Sequence, residues 1–304
     1  MAAALIYDLS PIVLNGTTLA TDDMTFSPDV LAEPFRHSGN EFGSIVRVSG
    51  GNPAIRFKTP FGEAFALIGL KVLKVTSAAF YLAKFVDSIR QSGAVHRSYS
   101  LAASQLGMAY INGASVDQDG VLMAEVTVVL LSALDGITHP LTKSDLGTLP
   151  TLSSEPILYT NGPTSVNTVV IGGTTGARLD LAPQVSVRRS DGDLYPRVCG
   201  YIGGVPAIGV EHADPATMWS TVNPLTLGVV ASSLVQYFRR YDPATQAVSL
   251  ANGLSMTIAN GRAVPADLSA RVGDIATAPL RMLGLSPTNT HPVVIATGVT
   301  VPSP

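Results

Sequence analysis

Cysteine, tryptophan and charge are scarce in this chain. Its one cysteine, Cys199, excludes an internal disulfide framework and any cysteine-built zinc cluster. Only 13% of residues are charged, about half the usual ~25%. The apolar share is 46% and the mean hydropathy is +0.32, which excludes a disordered chain, since disorder needs low hydrophobicity and high charge. No apolar run reaches the about 20 residues of a membrane span: Phe65–Val75 is broken by Lys71 and Lys74, and Val126–Leu134 by Ser132. No basic segment followed by an apolar core opens the chain, so no secretory signal is expected. The net charge of −3 gives no overall attraction to a polyanion. A chain so poor in charge must cover apolar surface, which points to an obligate assembly subunit.

What the sequence does contain is internal similarity. Segments 100–116 and 249–264 share Leu101/Leu250, Leu106/Leu254, Met108/Met256 and Asn112-Gly113/Asn260-Gly261 when one gap is opened. Thr138-His139-Pro140 recurs as Thr290-His291-Pro292. Upstream, Val46-Arg47-Val48 and Val185-Ser186-Val187 each lead through a glycine-containing turn to an arginine, Arg56 and Arg197. These landmarks in one order predict two tandem copies, 1–150 and 151–304, with the boundary in the Gly/Pro/Ser-rich stretch Lys143–Pro156. All five lysines fall in the first copy, so the copies are expected to occupy different environments.

Most of each copy reads as strand, in short apolar or β-branched runs bounded by Gly, Pro, Asn or Asp. Examples are Ser44–Val48, Ala54–Lys58, Ala64–Ile68 and Glu125–Leu131 in the first copy, and Gln184–Arg188 and Val293–Thr297 in the second. Asn112-Gly113 and Asn260-Gly261 predict tight hairpin turns. One helix per copy is expected where Tyr81, Leu82, Phe85, Val86 and Ile89, and then Leu234, Val235, Phe238 and Tyr241, fall on one helical stripe. The fold class expected is α+β, mainly β: two tandem β-sandwich or half-barrel domains, each with one flanking helix.

Residues for chemistry are few. His139 and His291 precede prolines at equivalent places and read as turn or cap residues. His212, in Glu211-His212-Ala213-Asp214, lacks a third metal ligand nearby, and Asp117-x-Asp119 lacks the register of a calcium loop. The glycine-rich runs near Gly172 and Gly200 do not end as phosphate loops do, and no Gly-x-Ser-x-Gly elbow is present. No catalytic residue, metal site or cofactor is therefore expected.

A charge-poor, strand-rich chain with two ~150-residue β domains resembles the phage major tail (tail-tube) proteins of the duplicated type. The resemblance spans the whole chain as architecture and rests on no signature motif. It implies a structural protein of the virion tail, made in the bacterial host cytoplasm, whose chains form stacked rings. Three chains would build a pseudo-hexameric ring, stacked through long loops and hairpins. The partners implied are further copies of the chain, other tail proteins, and DNA passing through the lumen without specific binding; no membrane is implied. Another virion component, or a tandem carbohydrate-binding β-sandwich using Trp219, is the alternative. Two apolar segments before the expected helices, Phe61–Val75 and Asp214–Leu227, are candidate stacking loops. Their large side chains, Phe61, Phe65, Leu67, Ile68 and Leu70, and Met218, Trp219, Val222 and Leu225, form the candidate assembly interface.

Overall fold

The structure, a computed structural model, describes residues 6–9, 11–35, 38, 45–86, 89–90, 96–146, 148–152, 155–222, 233–265, 277–286, 288 and 290–303. The chain opens with β1 (Ile6–Leu9), the hairpin β2 (Ile12–Leu14) and β3 (Thr17–Leu19), and β4 (Asp23–Ser27). A two-stranded ribbon follows, β5 (Val30–Phe35) and β6 (Ile45–Gly51), then β7 (Ala54–Pro60), α1 (Phe61–Ile68) and β8 (Leu73–Val75). Next come β9 (Ala78–Val86), β10 (Ile89–Arg90), β11 (His96–Leu101), β12 (Leu106–Asp117), β13 (Met123–Leu131) and β14 (Leu141–Leu146). The remainder starts with β15 (Leu158–Val166), β16 (Val169–Ile171) and β17 (Thr174–Asp180). A second ribbon, β18 (Pro183–Arg188) and β19 (Val198–Gly204), leads to β20 (Ala207–His212) and α2 (Pro215–Thr221). The chain closes with β21 (Leu234–Asp242), β22 (Ala247–Ile258), β23 (Gly261–Pro265), β24 (Ala278–Gly284) and β25 (Val293–Val299). The protein is thus mainly β, with two short helices among the described residues.

One long antiparallel sheet, ordered β23-β24-β20-β17-β12-β13-β7-β4 with β8 beside β12, runs through both halves of the chain. Strand alternation gives it one dry face and one wet face. Ile55 and Phe57 in β7, Val126 and Val128 in β13, and Leu179 in β17 are buried. Their neighbours Arg56, Lys58, Glu125 and Arg178 point to water. Two smaller sheets supply the rest of a single apolar cluster: β14-β11-β9-β2-β3 in the first half and β25-β22-β21-β15-β16 in the second.

The two halves repeat one order of elements. The five-strand paths of the smaller sheets match in order, with β1 and β10 added beside β9 in the first, and so do the four-strand runs β12-β13-β7-β4 and β23-β24-β20-β17 of the long sheet. Rare backbone conformations recur at matching places. Asn15-Gly16 and Asn167-Thr168 take positive φ in the hairpins β2–β3 and β15–β16, Asp29 and Ala182 (both φ 41) precede the ribbons, and Gly50 and Gly203 (φ 143 and 153) bend their ends. Each turn asparagine also ties down the strand beside it. Asn15 Oδ1 accepts the Thr76 N–H (2.9 Å) and Asn167 Oδ1 the Ser233 N–H (3.3 Å).

Several local expectations are corrected. Tyr81, Leu82, Phe85 and Val86 lie in strand β9, Ile89 in β10, and Leu234–Tyr241 in β21, where helices were expected; residues 87–88 lie outside the described residues. In β21, Leu234, Gln236 and Phe238 alternate inward. A buried glutamine hides this period of two, with its amide satisfied by Asn161 Oδ1 and the Gly162 carbonyl, both at 3.1 Å. The run Ala64–Ile68 is helix, since Phe61, Ala64 and Ile68 meet the core at helical spacing. Asn112-Gly113 sits inside β12 at a bulge, and Asn260-Gly261 links strands of two different sheets. Leu106 and Met108 (β12) therefore occupy a different place in the order from Leu254 and Met256 (β22). Likewise Val46 and Val48 lie in the second strand of one ribbon and Val185 and Val187 in the first strand of the other. His139 and His291 do match: each precedes the last strand of its half and accepts the N–H two residues on, from Leu141 (3.1 Å) and Val293 (3.2 Å).

Phe61 is fully buried at the start of α1. Phe61→Ala is expected to cost about 3–5 kcal/mol of folding stability, read by urea unfolding of the unassembled chain; a loss below 1 kcal/mol would place the ring outside the core.

Candidate functional site

The candidate interface residues are placed by the two helices. Phe61, Ile68, Met218 and Val222 are buried within the chain, and Phe65, Leu67 and Leu70 pack, partly buried, on the same cluster. The segments expected to be apolar stacking loops thus begin as helices that close the core, which leaves Phe61 and Met218 no surface to present. Leu225 and the Trp219 side chain lie outside the described residues. Asp214 caps α2 by accepting the Thr217 N–H (3.1 Å), with Pro215 at the first helical position.

No three metal-binding side chains converge among the described residues. Burial pushes the Cys199 thiol up to about 11, so it stays protonated and unreactive at neutral pH. Asp135 is held well below the usual carboxylate range by the Thr138 hydroxyl and the Thr138 and Ile137 N–H groups, the chemistry of a capped turn. His212, at the end of β20 between Thr174 and Ala278, is fully buried, and neither ring nitrogen has a hydrogen-bond partner. Burial holds it below the ordinary imidazole range, offset in part by the Gly172 backbone and the Asp214 carboxylate.

The surfaces are more informative. The long sheet's wet face carries Lys58, Glu125, Asp117, Arg178, Glu211 and Arg281 with the two signs interspersed, and Arg281 meets Asp180 at 3.5 Å. An open groove of about 560 Å³ follows this face along β12, β17, β20 and β24. Both ribbons carry exposed apolar side chains, Val46 and Val48 on β6 and Val198 and Ile202 on β19, the last 69% exposed. Each ribbon pairs only with itself, and a lone two-stranded ribbon is marginal in water without a surface to pack on.

The ribbon β18–β19 has such a surface. Its tip lies on the first half, where the Leu194 and Tyr195 N–H groups donate to the Gly136 carbonyl (2.7 and 2.8 Å). The Gly51 N–H donates to the Leu194 carbonyl (2.8 Å), Arg189 reaches the Ser49 carbonyl (3.4 Å), and the Tyr195 ring meets His139 edge-on at 5.2 Å. Beside this contact β12 pairs with β17, from Gly113↔Asp180 to Asp117↔Gly176. The Asn112 bulge makes that pairing possible. It resets the alternation, so that Ala109 and Ile111 before it and Ala114 and Val116 after it all face the core. The Asn112 carbonyl accepts the Leu181 N–H (2.9 Å), and Gly113 lies so close to the Leu179 carbonyl that a Cβ would clash. The Asn-Gly signal was visible in the sequence; its role as the bulge where the halves join was not.

The outer edges of the long sheet, β4 and β23, have no strand partner on their far sides among the described residues. No helix of the described residues is long and apolar enough to cross a membrane. No protein-family model matches this chain, and no curated protein matches its sequence.

His212 gives a pH prediction. Its folded pKa is lowered, so below its unfolded value of about 6.5 the unfolded chain takes up the proton first. Its contribution to stability is full above about pH 6.5 and falls as the pH drops through the folded pKa. The melting temperature is expected to decline between pH 6.5 and 5, before the carboxylates titrate, and His212→Leu is expected to flatten that decline. Equal slopes for both proteins over this window would show that His212 is not the group responsible.

Proposed function

We propose that this chain is a structural subunit of a closed, stackable ring of the phage tail-tube kind, built from two copies of one domain and acting as a conduit wall. One observation carries the reading: the long sheet ends on β4 and β23, and those strands occupy the same places in their halves as β17 and β12, which are joined inside the chain. Head-to-tail repetition of that joint between chains removes both open edges. Closure of this heterologous contact makes a ring. Eight strands from each chain then line the wall, and three chains give six repeats.

The wet face supports a conduit. Its charges of both signs lie close together, with no basic stripe of the kind that grips phosphates. Its dry face is already covered by the two smaller sheets, so the wall stays rigid while its inner surface stays polar. The apolar ribbons sit apart from this face and offer contacts between subunits. The same features would serve another ring-forming component of a virion.

Native mass measurement of the assembled protein is expected to give three chains per ring. On assembly, the backbone amides of β4 are expected to exchange with solvent at least about tenfold more slowly, because an edge strand gains a partner. A chain that stays monomeric at high concentration, or rings in which β4 exchanges as it does in the monomer, would contradict the reading.

A further inference from the structure

We infer that the second half of the chain carries a docking site for the β5–β6 ribbon of a second copy, formed by the Ile202–Val205 bend with Leu285 and His291. The inference rests on the ring reading above and deepens it by assigning the contact beside the sheet edge.

The template is the contact inside the chain. The ribbon β18–β19 seats its tip on two parts of the first half: the Ser49–Gly51 bend and the Ser132–His139 segment. Both parts have counterparts in the second half. Gly50 and Gly203 share an unusual positive φ at the end of their ribbons, beside the same bulge: the register shifts at Leu31/Ala32 in one and Gln184/Val185 in the other. Their surroundings differ. A Cβ on Gly50 would collide with Arg189 and lie 2.6 Å from the Leu194 carbonyl oxygen, whereas one on Gly203 would meet nothing within 4 Å among the described residues. Around Gly203 the apolar side chains Ile202, Val205 and Leu285 are exposed. His291 holds the same turn hydrogen bond as His139, the residue that meets Tyr195. The second half thus presents, open, the surface that the first half presents filled.

The occupant is specified by the same symmetry. The ribbons Val30–Gly51 and Pro183–Gly204 have equal length. Both ribbons also bulge at the same place, between Leu31 and Ala32 in one and Gln184 and Val185 in the other. The first ribbon's stem exposes Val30, Val46 and Val48, apolar surface of the kind that Ile202, Val205 and Leu285 offer. Seated next to a β4 edge joined to a neighbouring chain, it would repeat the internal joint in full.

The test places a benzophenone photo-crosslinking residue at Ile202 or Leu285 in the full chain, with Val169, exposed on the other side of the β15–β16 hairpin, as control. Irradiated assemblies are digested and the linked peptides identified by mass spectrometry. The expected result is linkage from positions 202 and 285, but not 169, to peptides of residues 30–51 on another chain, established by mixing isotopically light and heavy protein. Ile202→Asp with Leu285→Asp is expected to leave the melting temperature of the unassembled chain unchanged and to weaken assembly at least about tenfold. Rings of three chains whose crosslinks fall elsewhere would overturn this docking site and leave the ring reading standing. A chain that neither assembles nor crosslinks between molecules would overturn both.

Discussion

The pairing of β12 with β17 is the constraint on which the rest depends. It turns two four-strand runs into one sheet, and so fixes a single dry face against which everything else must pack. The pairing is demanding locally. β12 must approach β17 closely at Gly113, where any side chain would strike the Leu179 carbonyl, and must bulge at Asn112 so that its apolar residues face inward on both sides of the crossing. The Asn112 amide spans the bulge to Thr127 on the adjacent strand (2.7 Å). Shifting this register by one residue would turn Ala114 and Val116 to water and Ser115 and Asp117 to the core.

From that joint follows an uneven distribution of surface. Apolar side chains of all three sheets and both helices share one cluster, which accounts for much of the chain's high apolar content. The long sheet's wet face carries charges of both signs. Part of what is left over stands on the ribbons, where Val46, Val48, Val198 and Ile202 are exposed on strands that belong to no larger sheet. One ribbon is anchored on the other half of its own chain. An element built the same way with its acceptor left open is the feature of this fold that points beyond a single chain.

Much of the fold was legible in the sequence. The strand runs around Ala54, Glu125, Gln184 and Val293 were marked by β-branched residues between turn formers, and the repeated Thr-His-Pro identified matching turns because a histidine before proline does the same hydrogen-bonding work in both. The helices were misplaced for a physical reason. Gln236 at a core position broke the apparent alternation of β21, while the apolar starts of α1 and α2, short and preceded by strands, read as strand or loop. The sequence matches Leu106/Leu254 and Met108/Met256 do not fall on corresponding strands, and the halves share backbone conformations more than residues: Asn167-Thr168 does the work of Asn15-Gly16, and Ala182 that of Asp29. Of the candidate assembly residues, Phe61 and Met218 close the core. Apolar content alone cannot separate side chains that close a core, as Phe61 and Met218 do, from those left on a ribbon, as Val46 and Ile202 are.

The claim at the centre of this account is that the joint between the halves is repeated between chains. An electron cryomicroscopy reconstruction of the assembled protein at side-chain resolution tests it most directly. The account predicts a continuous wall in which β4 is hydrogen-bonded, antiparallel, to the β23 edge of a neighbouring chain, as β17 is to β12. A reconstruction in which β4 remains an open edge, or is covered by its own chain, would contradict it.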